Sequence, residues 1–327
     1  MMIISRTPFR VSFVGGGTDL PSFYSRHSNG GAVISMAVSK YVYITVNRRF
    51  DETLRLSYSK TEIVDELDSV HHPLFREALR VTGVKRGIEA TSIADIPSGT
   101  GLGSSSSFAV GLLHALHAFQ GRHKTAEDLA DEACHLEIEV LGEPIGKQDQ
   151  YAAAFGGLRR YRFNADGTVF VDPVICSEET KGQLFEHLMF FYLGGTRDAR
   201  QILESQSKQT VEKLEYLERM RELVDRFHDV LVTDGDVRAL GEILHESWLC
   251  KRQLAENVSN SRVDELYECA RSAGALGGKL LGAGQSGFLM LFCPPGAQPT
   301  VRERLEGLRE VPMAFEPEGS KIIYVGR

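Results

Sequence analysis

The sequence predicts a two-domain α+β protein, and three observations carry that prediction. The chain has 327 residues, more than one hydrophobic core usually organises. Strand-like and helix-like segments alternate along it, and the composition shifts around Ser177–Gln183. The boundary is therefore expected at 180/181, with residues 1–180 forming an N-terminal domain and 181–327 a C-terminal one.

Taken in order, Arg10–Val14 reads as a strand broken by Gly15-Gly16-Gly17. Tyr41–Arg48 alternates β-branched and aromatic residues with polar ones, the period of a half-buried strand. Gly87–Ala94 is a further strand, running into the turn-forming residues of Ile96–Gly103. Phe108–Phe119 places Val110, Leu112, Leu113, Leu116 and Phe119 on a broad apolar helical face. Thr125–Leu141 is a second helix, with Thr125 as N-cap and Asp128 three residues on. Gly156–Phe163 and Thr168–Val171 form a hairpin about the turn pair Asp166-Gly167. Beyond the boundary come the apolar run His187–Leu193, a charged helical stretch from Asp198 to Leu231, and helices at Val237–Leu254 and Val263–Ala273. Two strands then flank Gly282–Gly287, followed by a helix near Thr300–Leu308 and closing strands.

Charge and composition exclude several classes. A net charge of -7 argues against nucleic acid as the main partner, because phosphate backbones call for a basic surface. No apolar run approaches the ~18–20 residues a bilayer requires, and the first residues lack the pattern of a secretory signal. Cys134, Cys176, Cys250, Cys269 and Cys293 are scattered and odd in number, which favours buried thiols in a reducing compartment. A cytoplasmic protein without membrane or nucleic-acid partners, monomeric or homodimeric, is expected.

The most informative segment is Pro97-Ser98-Gly99-Thr100-Gly101-Leu102-Gly103-Ser104-Ser105-Ser106-Ser107. It lies between a strand and a helix, and its alternating glycines let the backbone adopt positive φ and approach a ligand closely. The following helix begins with free N–H groups and the positive end of its dipole, so the segment suits a polyphosphate. One serine suffices for capping; four add hydroxyl donors and candidate Mg2+ ligands. The string is not a Walker A loop, which requires GxxxxGK[ST]. A second glycine string, Gly282-Ala283-Gly284-Gln285-Ser286-Gly287, fits GxGxxG but runs into the strand-like Phe288–Phe292 instead of a helix. A dinucleotide site is therefore not expected there, and a tight loop packed against a ligand or another backbone is.

Three segments, in order and spacing, resemble the GHMP kinases, the superfamily of galactokinase, homoserine kinase, mevalonate kinase and phosphomevalonate kinase. They are Pro8–Asp19 (PFRVSFVGGGTD), the turn just described (P-x-x-x-G-L-G-S-S), and Lys279–Gly284 (KLLGAG). Galactokinases carry Glu-His where this chain has Gly16-Gly17. The string FRVSFVGGGTDLPSF is instead similar to sugar 1-kinases acting on heptose 7-phosphate, of bacterial GDP-heptose synthesis, and more distantly on fucose. The resemblance implies an N-terminal ribosomal-S5-like domain, a C-terminal ferredoxin-like domain, and Mg-ATP as phosphoryl donor to the anomeric hydroxyl of a small-molecule sugar phosphate. A kinase for another sugar and a catalytically silent sugar sensor are the alternatives.

The same resemblance assigns roles to residues. Asp149, in Gly-x-x-Asp-Gln, matches the catalytic aspartate that accepts or orients the acceptor's proton. Arg10 matches the basic residue beside it, and Asp19 the sugar-binding aspartate; on residue type alone, Asp19 reads equally as a helix N-cap. Glu137, with Ser104 or Ser105, matches the Mg2+ site, with Glu139 as the rival carboxylate. Pro97, Gly99, Gly101, Leu102, Gly103 and Ser104–Ser107 would cradle ATP. By residue chemistry and not by the resemblance, Gly16, Gly17, Gly282 and Gly284 would approach the acceptor, and Lys147, Arg197 and Arg200 are candidates for its phosphate. His114 and His117 share a helix face without an acidic partner in sequence, which does not make a zinc site.

Overall fold

The first strand is longer than its sequence pattern suggests. β1 (Met2–Val14) continues back through Pro8, which masks its first half in the sequence. Its register against β2 (Gly31–Arg48) slips between Pro8 and Phe9, where β2 carries two extra residues, Ser39 and Lys40, in a bulge opposite the residue that lacks an N–H. The first half of β2 shows no alternation because both its faces are covered, and only Tyr41–Arg48 carries the period of two. The computed structural model describes residues 1–195, 213–255, 258–282, 284 and 286–326.

After β1 come the short α1 (Pro21–Tyr24), β2, β3 (Leu54–Ser57), β4 (Thr61–Val64), α2 (Pro73–Thr82) and β5 (Ile88–Ala94). Then follow α3 (Ser104–Phe119), α4 (Ala126–Cys134), a π-helical turn His135–Val140, α5 (Gln148–Phe155), β6 (Leu158–Phe163), β7 (Val169–Pro173) and α6 (Glu178–Glu186). The second half holds β8 (Leu188–Tyr192), α7 (Leu214–Val232), α8 (Arg238–Arg252), α9 (Ser261–Ser272), β9 (Gly277–Leu280), β10 (Phe288–Phe292), α10 (Gln298–Arg304), β11 (Arg309–Glu310) and β12 (Lys321–Gly326).

Two sheets result. The larger runs β12-β1-β2-β5-β3-β4, with β6 and β7 continuing from the first half of β2; the smaller runs β11-β8-β10-β9. The last strand leaves the second sheet and pairs with β1, so the chain's end belongs structurally to the first half. Helices α3 and α5 pack on β1 and β2. The main core is continuous across both halves, from Phe9 and Phe13 to Phe227, Leu244 and Phe292.

The helix expected over Thr125–Leu141 divides. Thr125 closes a capping box with Asp128, and the α-helix ends at Cys134 where the π-turn begins. A π-turn adds a residue to the helical repeat and turns the next side chains to a new face. Leu136 and Glu137 point inward as a result, whereas Glu139 faces solvent and pairs with His135 at 2.7 Å. Among the described residues no helix is long and apolar enough to cross a membrane, and all five cysteines are free.

Candidate active site

The glycine–serine turn sits at the mouth of α3, which starts at Ser104, one turn before the expected Phe108. Gly99, Gly101 and Gly103 have φ of 76°, 88° and 74°, values that a side chain would strain. Space is as restrictive as conformation. A Cβ on Gly101 would lie under 3.0 Å from the Leu281 carbonyl, one on Gly282 under 3.0 Å from the Gly101 Cα, and one on Gly287 likewise from the Thr100 carbonyl. The two glycine loops therefore lie backbone against backbone. The Gly282–Gly287 loop joins the antiparallel neighbours β9 and β10, which a dinucleotide fold does not allow at that motif.

A cavity of about 450 Å3 opens in front of this seam. Gly99, Gly101, Gly103 and Ser104–Ser106 line it, as do Gly16, Gly17, Gly282 and Gly284. Pro97 is exposed and only its carbonyl takes part, accepting from Thr100 Oγ1 at 3.0 Å. Leu102 is buried in the core and contributes its carbonyl, which accepts the Arg10 N–H at 3.1 Å. Ser107 turns away, donating from Oγ to the Pro8 carbonyl at 2.8 Å.

Of the four carboxylates that line the cavity, Asp149, Glu137 and Asp19 meet it in different ways. Asp149, in the first turn of α5, takes a two-pronged ion pair from Arg10 on β1, with Nε and Nη2 each 2.7 Å from a carboxylate oxygen. Arg10 Nη1 donates to the Gly101 carbonyl at 2.7 Å, which ties the pair to the glycine–serine turn. The fork uses one lone pair on each Asp149 oxygen and leaves the other for a substrate hydroxyl.

Glu137 is 1% exposed and accepts from Ser105 Oγ and Gln150 Nε2, both at 2.7 Å. Burial pushes its pKa up to about 7, against the lowering effect of hydrogen bonds from Ser105, Ser106 and Gln150. A carboxylate this desolvated, with hydroxyl oxygens beside it, suits a hard cation, so the donor set fits Mg2+.

Asp19 is buried and does not cap α1, whose N-cap is Leu20. Its oxygens accept instead from Gly17 N at 2.9 Å and Gln148 N at 3.4 Å, joining the first glycine loop to the segment before Asp149. Burial, and then the Asp149 charge, raise its pKa. Thr18 steadies that loop, its Oγ1 lying 2.8 Å from both the Gly15 and Ala32 carbonyls.

The expected phosphate cations fare differently. Lys147 does not line the cavity: its ammonium is drawn to the Gly167 carbonyl at 2.6 Å, at the tip of the β6–β7 hairpin. Arg197 and Arg200 lie outside the described residues. Two lysines that sequence reasoning did not single out do line the cavity: Lys251 at the end of α8 and Lys279 on β9. Lys279 stood in the quoted KLLGAG string, but nothing in that string shows which way its side chain points. His117 pairs with Glu132 at 2.7 Å and His114 with Ser320 at 3.0 Å, and no metal-binding group of three His, Cys, Asp or Glu occurs among the described residues.

Comparison with known proteins agrees with this geometry. The family model described as GHMP kinases N terminal domain matches residues 70–157, and that described as GHMP kinases C terminal matches 214–308. The D-glycero-alpha-D-manno-heptose 7-phosphate kinase of Campylobacter jejuni is 29% identical over 90% of each chain. A bifunctional fucokinase/GDP-fucose pyrophosphorylase of Arabidopsis thaliana is 26% identical over 91% of this chain but only 30% of its own. The crystal structure of a D-glycero-D-manno-heptose 1-phosphate kinase from Bacteroides thetaiotaomicron shares the fold, with a TM-score of 0.82 over 99% of this chain and 100% of the other at 22% identity. The glycine–serine turn, the Arg10–Asp149 fork and both matched halves place the chain in the GHMP kinase superfamily, as a phosphotransferase with an alcohol group as acceptor.

Proposed function

We propose that the protein is an ATP-dependent sugar 1-kinase whose acceptor is a sugar phosphate, D-glycero-D-manno-heptose 7-phosphate, giving the 1,7-bisphosphate. The observation that carries the reading is the Arg10–Asp149 fork held against the phosphate turn. A protein that only sensed the sugar would need a pocket but not this pair. Similarity to a heptose 7-phosphate kinase along nearly the whole chain supports the acceptor.

In this reading the β- and γ-phosphates lie on the N–H groups that open α3, with the hydroxyls of Ser104 and Ser105 beside them. Glu137 and Ser105 would hold Mg2+, which when bound neutralises phosphate charge. The anomeric hydroxyl rests on a free lone pair of Asp149. As its oxygen bonds to the γ-phosphorus, the bond from phosphorus to the bridging oxygen of ADP breaks and the hydroxyl proton passes to Asp149. Arg10 both orients Asp149 and places a fixed positive charge beside the transferring group.

The test is ADP release with Mg-ATP and a panel comprising the heptose 7-phosphate, the same heptose without phosphate, fucose and galactose. Turnover of the 7-phosphate above the others is expected. Turnover of fucose alone overturns the acceptor, and ATP binding without turnover of any sugar overturns the kinase reading in favour of a sensor.

A further inference from the structure

We propose that Lys279, with Lys251 and the Ser12 hydroxyl, forms a second oxyanion seat in the cavity, which receives the phosphate that the acceptor already carries. This rests on the reading of the acceptor as a sugar phosphate and assigns its phosphate to residues other than those the sequence suggested.

Lys279 stands on a strand whose four residues are all buried, and is itself 3% exposed. A buried ammonium needs partners for its charge and its three N–H donors. Only one donor is placed, on the Phe13 carbonyl at 3.1 Å, and Lys279 has no ion pair among the described residues. Burial, followed by the neighbouring Lys251 and Arg10 charges, draws its pKa well below the ordinary lysine value, with Asp19 opposing. An arriving phosphate would reverse that balance by supplying the missing charge.

A second, independent observation points the same way. Ser12 is 6% exposed, lines the cavity, and its Oγ has no hydrogen-bond partner. Buried hydroxyls are rarely left so without a ligand to complete them. Lys251 is buried too, lines the same cavity, and donates to the Gly282 carbonyl.

These groups belong to the acceptor's side of the cavity. Phe13, which holds Lys279, leads directly into Gly15–Gly17 and Asp19; Leu254, one turn beyond Lys251, packs next to Gly17. The phosphates of ATP have their own donors at the start of α3, and the charge of Arg10 is matched by Asp149. Two open donors of Lys279 and the Ser12 hydroxyl therefore face the acceptor unsatisfied.

The experiment uses the full chain saturated with a non-hydrolysable ATP analogue and titrates inorganic phosphate by calorimetry. Wild type is expected to bind phosphate, and Lys279→Met to weaken it by about 10- to 100-fold, the range for one charge-assisted hydrogen-bond partner. Ser12→Ala removes a hydroxyl with no internal bond to lose, so it should fold normally and weaken phosphate by about 3- to 10-fold. In turnover, both should raise KM for the sugar phosphate and leave KM for ATP unchanged. No phosphate binding to the analogue-saturated wild type, or a rise confined to KM for ATP, overturns the seat. Phosphate binding that depends on Lys279 in an enzyme turning over only free sugars would keep the seat and sink the sugar-phosphate acceptor.

Discussion

Gly146→Ala should disable the enzyme through Asp19, the residue its new methyl group would meet. Gly146 has no left-handed φ, so alanine brings no backbone strain and its effect is purely steric. Its Cβ would fall within 3.0 Å of Asp19 Oδ2, Cγ and the main-chain oxygen. Either the Asp19 carboxylate or the segment leading to Asp149 must move, and the hydrogen bonds from Gly17 N and Gln148 N go with it. Their loss should lower stability by about 2 kcal/mol, as for a hydrogen bond to a charged group. A displacement on the order of 1 Å at a group that positions the reaction lowers the rate by about 100-fold. Steady-state ADP release should thus show kcat/KM down by about that factor, with the affinity for an ATP analogue unchanged because α3 is not disturbed. Asp19→Ala supplies the control: with the carboxylate gone, adding Gly146→Ala should cost only about fivefold more, the residue left by the main-chain oxygen. Gly146→Ala within threefold of wild type, or fully additive penalties in the double variant, would refute the reasoning.

Further expectations follow from the same geometry. Asp149→Asn should reduce kcat by about 10^2- to 10^4-fold while ATP analogue binding survives; rapid-quench turnover close to wild type would show that Asp149 is not the base. It should also lower stability by about 1–3 kcal/mol, because Arg10 loses the partner of a mostly buried charge. Lys147→Ala should leave acceptor KM within about twofold, since its ammonium is held at the Gly167 carbonyl; a tenfold rise would return it to the substrate phosphate. His114 is partly buried, and its pKa falls from 6.5 to about 4, chiefly through burial and then through His123 and His117. A depressed histidine keeps its full stability contribution above the unfolded pKa and loses it as pH falls toward 4. Thermal melts should show the loss, on the order of 2–3 kcal/mol, between pH 6.5 and 4, and His114→Gln should flatten that stretch of the curve.

Local chemistry made much of this site legible in the sequence. Gly101 and Gly103 have positive φ, which their residue type announces, and the serines that follow stand in the first turn of α3, where the sequence suggested an anion site. Period two revealed Tyr41–Arg48 but not Gly31–Ser39, because a strand covered on both faces has no alternation to read. The π-turn that swings Glu137 inward left no trace either, since its residues suit an ordinary helix. Lys251 and Lys279 show where single-sequence reading stops. A basic residue looks solvent-facing until register and crossing helices place it, and a string of flanking apolar residues cannot tell a buried ammonium from an exposed one. Lys147 is the converse case, two residues before Asp149 in sequence yet directed to a different turn.

The late glycine loop explains why the site requires both halves of the chain. Arg10, Asp19, Glu137, Asp149 and the head of α3 all come from the first half, and in the proposed reading they hold the reacting groups. Left alone, the phosphate turn would expose its backbone to water, where its N–H dipoles are worth least. Gly282 and Gly287 press their main chain against Gly101 and Thr100, so close that no side chain fits on any of these glycines. That contact covers one side of the turn, and the loop follows directly on β9, whose Lys279 lines the same cavity. Glycine at these positions thus serves the fit of one loop to another before it serves any ligand. In the proposed reading the loop between β9 and β10 backs the ATP seat, while Lys251 from α8 and Lys279 from β9 supply the charge that faces the acceptor.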